Sequence, residues 1–207
     1  MEKVLFRVGW GLIAGLAIFL FATTTIYFSF ADDINFLSVK QDVVHNVLWR
    51  SAFYIHITGG MLALLVGPFQ FIRRLRRRQR SLHRNLGKVY MASILFLAGP
   101  SGLFMAFYAE GGWFGALGFA VMAFLWLWTT FRAYETIRRR DVPGHIRWIT
   151  RSYALTFAAV TLRLYVPFTS LTNLLDPETV VVSSAWVSWI PNLIAAEILL
   201  RFFPQRL

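Results

Sequence analysis

Val8–Ala31, VGWGLIAGLAIFLFATTTIYFSFA, runs for 24 residues without a formal charge. A helix needs about 20 apolar residues to cross the hydrocarbon core of a bilayer. Three more uncharged stretches follow: Ser51–Ile72, Val89–Ala109 and Gly111–Phe131. Two others each carry one charge, Ser152–Leu175 with Arg163 and Thr179–Leu200 with Glu197. All six are continuously apolar rather than alternating, which excludes membrane-spanning strands. The expected fold is therefore all-α: a polytopic bundle of six transmembrane helices at about 8–31, 50–72, 87–109, 112–132, 150–174 and 180–201, forming a single membrane domain over 1–207.

The composition agrees. Of 207 residues, 57% are hydrophobic and 15% charged, and the mean hydropathy is +0.56. Soluble domains carry about a quarter charged residues, so a soluble enzyme, a disordered chain and a fibrous protein are excluded. The absence of cysteine removes disulfides, thiolate metal sites, iron–sulfur clusters and a Cys nucleophile.

The formal net charge of +11 is a topology signal. Of the 21 Lys and Arg, 18 fall in residues 1–7, 73–88, 132–151 and 201–207. The opposite loops hold only Lys40 and Arg50, together with six of the ten acids. The positive-inside rule places both termini and both basic loops in the cytoplasm, in a bacterial inner membrane. No nucleic-acid partner is expected. The bilayer is the first partner, with anionic lipids at the basic loops and a membrane protein or a second copy as further possibilities. The first apolar run is too long for the core of a signal peptide, so an uncleaved helix is expected. In the outer loop 32–50, Phe36, Val43, Val44, Val47 and Leu48 fall at helical spacing, which predicts a short amphipathic surface helix.

Arg76-Arg77-Arg78, four residues and then His83 are echoed by Arg138-Arg139-Arg140, four residues and His145. Each histidine is followed by a base (Lys88; Arg151) and an aromatic (Tyr90; Tyr153). The pattern predicts a parallel repeat of hairpins, helices 2–3 and 4–5, with the two histidines equivalent at the cytoplasmic ends of helices 3 and 5. Neutral imidazole ligates haem iron and transition metals, so His83 and His145 are the candidate metal or haem ligands, with Arg84 and Arg151 as cofactor-binding cations.

Inside the spans, polarity is costly and marks function by default. His56 lies about five residues into helix 2, roughly 7–8 Å below its outer end, and heads His56-Ile57-Thr58-Gly59-Gly60. Arg163 lies near the middle of helix 5 with no acid at its depth, and Glu197 is nearer the cytoplasmic end of helix 6. A ligand carboxylate, a propionate, a quinone oxygen or helix-end carbonyls are its expected partners. His56, Gly60, Gln70 and Arg163 form the candidate in-membrane pocket. Trp10, Trp49, Trp113, Trp148, Trp186 and Trp189 read as an interfacial aromatic belt. The metalloprotease string His-Glu-x2-His and the nucleophile elbow Gly-x-Ser-x-Gly are absent, and no catalytic residue is identified.

The run His56-x3-Gly60…Gly67-Pro68-Phe69-Gln70-Phe71…Leu75-Arg76…Leu82-His83-Arg84-x2-Gly87-x2-Tyr90 resembles the core motif of a bacterial family of predicted membrane proteins known as domain of unknown function 2306. His145-x2-Trp148-x2-Arg151-Ser152-Tyr153-Ala154-Leu155-Thr156, continuing to Thr161-Leu162-Arg163, resembles its second motif. The resemblance covers about residues 50–165 and implies a small multi-pass membrane protein. A looser likeness is to transmembrane b-type cytochromes, which hold haem between histidines of neighbouring helices. This chain departs from them, because His56 has no second in-span histidine and the other pair lies at the boundary. That implies a single cytoplasmic-side site for haem b or a metal. The leading expectation is a membrane redox protein, with quinone as a possible ligand of the His56–Arg163 pocket. The alternatives are a small anion transporter or channel using Arg163 and His56, and a non-catalytic subunit or assembly factor.

Overall fold

The structure is a computed structural model describing residues 2–202, with side chains described from residue 8. The terminal bases Lys3, Arg7 and Arg206 lie outside the described side chains. Six helical segments are long and apolar enough to cross a membrane: Val8–Ser29, Val47–Phe71, Arg80–Ala106, Gly112–Arg138, Val142–Thr172 and Pro177–Phe202. The described residues contain no strand. In order, the α-helices are α1 (Glu2–Thr24), α2 (Val47–Val66), α3 (Arg73–Arg78), α4 (Arg80–Ala92), α5 (Gly99–Ala106), α6 (Gly112–Arg138), α7 (Val142–Thr156), α8 (Ala158–Thr172), α9 (Pro177–Val187) and α10 (Ile190–Phe202).

Four boundaries correct the expected ones. The second span begins at Val47, and the third, fourth and fifth run one to two turns further at their Arg-rich ends. Charges mark where hydrocarbon ends, whereas backbone hydrogen bonding continues the helix beyond it. Three starts are set by caps. Asn46 accepts from the Leu48 and Trp49 amides at 2.9 and 3.2 Å, Asp141 from Gly144 at 2.9 Å, and Asp176 from Thr179 at 2.9 Å. Pro143 and Pro177 each stand in the first turn after the cap, where no amide is needed.

The loop 32–50 corrects a second expectation. In place of one amphipathic helix it forms a 3-10 turn at Asn35–Val39 and a further turn, while Val47 and Leu48 open α2 and stay exposed. Leu37 and Val44 insert among Tyr27, Trp49, Phe53 and Ile57, closing this end of the bundle. Lys40, 3% exposed, donates to the Tyr108 carbonyl and pairs with Glu110 at 2.6 Å, tying this loop to the turn between the third and fourth spans. Trp49 and Trp189 are thus core residues, unlike the belt expected for them. Trp10 donates to the Pro68 carbonyl at 3.0 Å and fastens α1 to the second span.

Spans two to six share the main core around Ala63, Tyr90, Ile94, Trp126 and Tyr153. The first span rests against Leu64 and Val160 through Ala17 and Leu20. The third and fifth spans are both interrupted mid-span. Ser93–Ala98 is a π-helical stretch between α4 and α5, and Phe157 separates α7 from α8. At Gly59 an added Cβ would stand 2.8 Å from the Leu97 Cβ and the Ala98 amide, so glycine lets α2 press against the π stretch.

Candidate functional site

A satisfied polar core lies between α4, α6 and α7. The Tyr90 hydroxyl bonds Ser152 Oγ at 2.9 Å and Thr156 Oγ1 at 2.8 Å. Trp126 Nε1 donates to Thr156 Oγ1 at 2.9 Å, and Thr130 bonds Ser152 at 2.7 Å. Tyr90 and Ser152 are 62 positions apart, the separation of His83 and His145. Every hydroxyl here has a partner, which is what burial in a low-dielectric interior demands.

Towards the Arg-rich end of the bundle the satisfaction ends. His83 and His145 are each the fourth residue of their helices, α4 and α7. The two imidazoles lie within electrostatic reach of each other, and Arg76 lies within reach of both. His145 Nδ1 is 2.8 Å from the Ala133 carbonyl. A carbonyl only accepts, so Nδ1 carries the hydrogen and Nε2 keeps the lone pair. His83 Nδ1, Gln70 Nε2 and the Tyr153 hydroxyl are buried without a partner. Gln70 and Tyr153 are each 7% exposed. An added Cβ at Gly87, one turn along α4 from His83, would stand 3.2 Å from Gln70 Oε1. One at Gly67, one turn before Gln70, would meet the Tyr153 ring at 2.1 Å. Three unpartnered polar groups, one of them on the His83 imidazole itself, therefore come from the second, third and fifth spans. Burial, with Arg73 and Arg77 nearby, holds the Arg76 guanidinium below the usual arginine range, so the mouth of this cluster is crowded with positive charge.

Of the two cations expected at this site, only Arg151 is shown engaged with another partner. Arg84 is exposed on α4. Arg151 forks onto Glu197 with bonds of 2.6 and 3.0 Å and lies 4.7 Å over the Trp148 ring. That pair borders a groove of about 570 Å³ between the fourth, fifth and sixth spans. Arg76, not Arg151, is the guanidinium that approaches both histidines. Among the described residues no group of three or more His, Asp and Glu could hold a metal ion. The donor set is two imidazoles, too few for a closed tetrahedral zinc site.

The second cluster is formed by α2, α5 and α8. His56 is nine residues past Val47, so it lies about 13.5 Å below the start of α2 at 1.5 Å per residue. This is deeper than expected because α2 starts earlier. Arg163 is nine residues before Thr172, the end of α8, at matching depth. The two are within electrostatic reach, as are Arg163 and Tyr27. His56 Nδ1 donates to the Ala98 carbonyl at 2.8 Å, which leaves Nε2 as an acceptor. Its ring lies where a Cβ on Gly102 would come within 2.8 Å, so Gly102 makes the room. Gly60, one turn along α2 from His56, has nothing within 4 Å of its Cβ position. Arg163 forms no ion pair among the described residues; its guanidinium is 3.5 Å from the carbonyl of Ala159, one turn back. Gln70, expected in this pocket, lies beside Gly87 in the histidine-pair cluster instead.

Sequence reasoning missed Gly102, Tyr153 and the carbonyls of Ala98 and Ala133. Only Tyr153 carried a signal, its place after the second basic loop.

Searches among curated proteins and among solved structures return no match. Residues 53–200, which include both clusters, match the family model described as Predicted membrane protein (DUF2306), and the chain belongs to that family.

Proposed function

We propose that the chain is a redox protein of a bacterial inner membrane, with both termini in the cytoplasm, in which His83 and His145 hold haem b or a transition metal near the cytoplasmic face. The carrying observation is the pair of imidazoles from the third and fifth spans, of which His145 has its Nδ1 hydrogen committed to Ala133 and its Nε2 lone pair free. A backbone acceptor on the far nitrogen is the usual means of orienting a ligating histidine. Two imidazoles are too few for a zinc site but would be a competent donor pair for haem iron. Bound there, the group would supply one-electron chemistry. Arg76 would face its carboxylates or other anionic ligands, Gln70 and Tyr153 would offer hydrogen bonds from below, and the basic loops would hold anionic lipid.

The test is the visible spectrum of the purified protein, air-oxidised and dithionite-reduced, with metal analysis of the same sample. One haem or one metal per chain is expected, lost in His83→Ala and in His145→Ala while the helical circular dichroism persists. A colourless, metal-free protein, prepared from cells supplied with haem and metals, would overturn this reading. The second reading, a small anion transporter, is favoured by the unpaired cation at Arg163. It predicts anion flux in proteoliposomes that is abolished in Arg163→Gln and unaffected in His83→Ala.

A further inference from the structure

We propose that the outer-half site at Arg163 and His56 binds the carboxylate of an amphipathic acid taken from the lipid phase. Arg163 has no ion pair among the described residues, and its carbonyl contact at 3.5 Å is at the limit of a hydrogen bond. It lies about 13.5 Å from the outer end of α8. An extended arginine reaches roughly half that distance, so snorkelling alone does not bring it to the headgroups. An uncompensated guanidinium at such depth is costly on every scale. The side chain is exposed on the bundle surface, so what neutralises it comes from beside the protein. A carboxylate matches the guanidinium fork in charge and shape.

His56 supplies the second contact. With Nδ1 fixed on the Ala98 carbonyl, Nε2 presents a lone pair. An amphipathic acid crosses hydrocarbon in its neutral form, since the ionised form is the costly one to desolvate. At the site the O–H donates to His56 Nε2 while the other carboxyl oxygen accepts from the guanidinium. Ionisation breaks the O–H bond, the proton leaves to bulk water, and the carboxylate pairs with Arg163 so that the pair carries no net charge. The open space beside Gly60 gives the apolar chain a path along α2. This site is separate from the histidine pair at the cytoplasmic end and does not depend on a cofactor there.

The test uses the full chain in nanodiscs of phosphatidylcholine freed of fatty acid, with radiolabelled oleate and, separately, radiolabelled acetate as probes. One oleate per chain is expected, with affinity weakened at least about tenfold in Arg163→Gln, less in Arg163→Lys, and by an intermediate factor in His56→Gln. Oleate should raise the unfolding temperature of the wild type and leave that of Arg163→Gln unchanged. Without oleate, Arg163→Gln should unfold at or above the wild-type temperature, because an unpaired charge has been removed. A purely structural arginine would lower it, and that result would overturn the proposal. So would the absence of saturable oleate binding, or equal binding by Arg163→Gln. Acetate binding as tightly as oleate would overturn the lipid-phase source and assign the site to a water-borne acid. A wild-type dimer that dissociates in Arg163→Gln would overturn it too, assigning the guanidinium to a contact between copies.

Discussion

Tyr90 and Arg163 both carry polar atoms into the thickness of the bundle, and their surroundings are opposite. The Tyr90 hydroxyl is fully buried and makes two hydrogen bonds to side chains that are themselves bonded. Arg163 is exposed at membrane depth beside a histidine with a free acceptor. Closed networks hold helices together in lipid, where no water replaces a lost partner. Open ones hold affinity in reserve. The contrast separates the polar residues that build this bundle from those that serve something outside it.

Breaking the closed side should have the largest effect. Tyr90→Phe removes one bond each from Ser152 and Thr156, which keep Thr130 and Trp126, and should lower stability by about 1–3 kcal/mol, two hydrogen bonds at about 0.5–1.5 each. Denaturant unfolding in mild detergent measures this, and a Tyr90→Phe/Thr156→Val cycle should show coupling of about 0.5–2 kcal/mol. A loss below about 0.5 kcal/mol, the low end for a single hydrogen bond, would dissolve the distinction. Lys40→Met tests a closed pair outside the hydrocarbon. With Glu110 half exposed and free to hydrate, about 1–2 kcal/mol is expected, together with faster proteolysis of the loop 32–46. His56→Phe sharpens the open side. It removes one bond to a carbonyl that Ser101 Oγ also approaches, at 3.3 Å, so the loss should stay within about 0.5–1 kcal/mol.

The smallest effect concerns pH. The Thr179 hydroxyl and amide hold the Asp176 carboxyl below the usual carboxylate range. A carboxyl with a lowered folded-state pKa stabilises above its unfolded pKa, and that contribution disappears as pH falls through the folded value. Amide protection at the start of α9, taken relative to the intrinsic exchange rate at each pH, should therefore fall at acid pH in the wild type, and be low at all pH values in Asp176→Ala.

The six spans were legible because an uncharged run of bilayer length seldom arises except as a membrane helix. Their ends were less so, since arginines such as Arg80 and Arg138 sit in helix that continues past the hydrocarbon. His56, Arg163 and the spaced pair His83 and His145 stood out because polarity inside or beside a span is conspicuous. Their acceptors did not, because the carbonyls of Ala98 and Ala133 leave no mark on composition. Arg151 has the sequence position of a ligand cation, yet α7 and α10 bring Glu197 against it. That pairing depends on how two helices far apart in sequence pack.

The π-helical stretch Ser93–Ala98 has a genetic consequence. A wider turn of this kind is what one extra residue makes of an α-helix, and each residue turns the helix by about 100°. The wider turn absorbs that residue locally, so the helix on either side keeps the facing an uninterrupted helix would have. Deleting Leu95 would restore ordinary winding and leave Gly102 against the His56 ring and Tyr90 in its network. What would change is the wide turn itself, against which Gly59 packs. The span thus tolerates the loss of one codon at this turn without re-aiming either half.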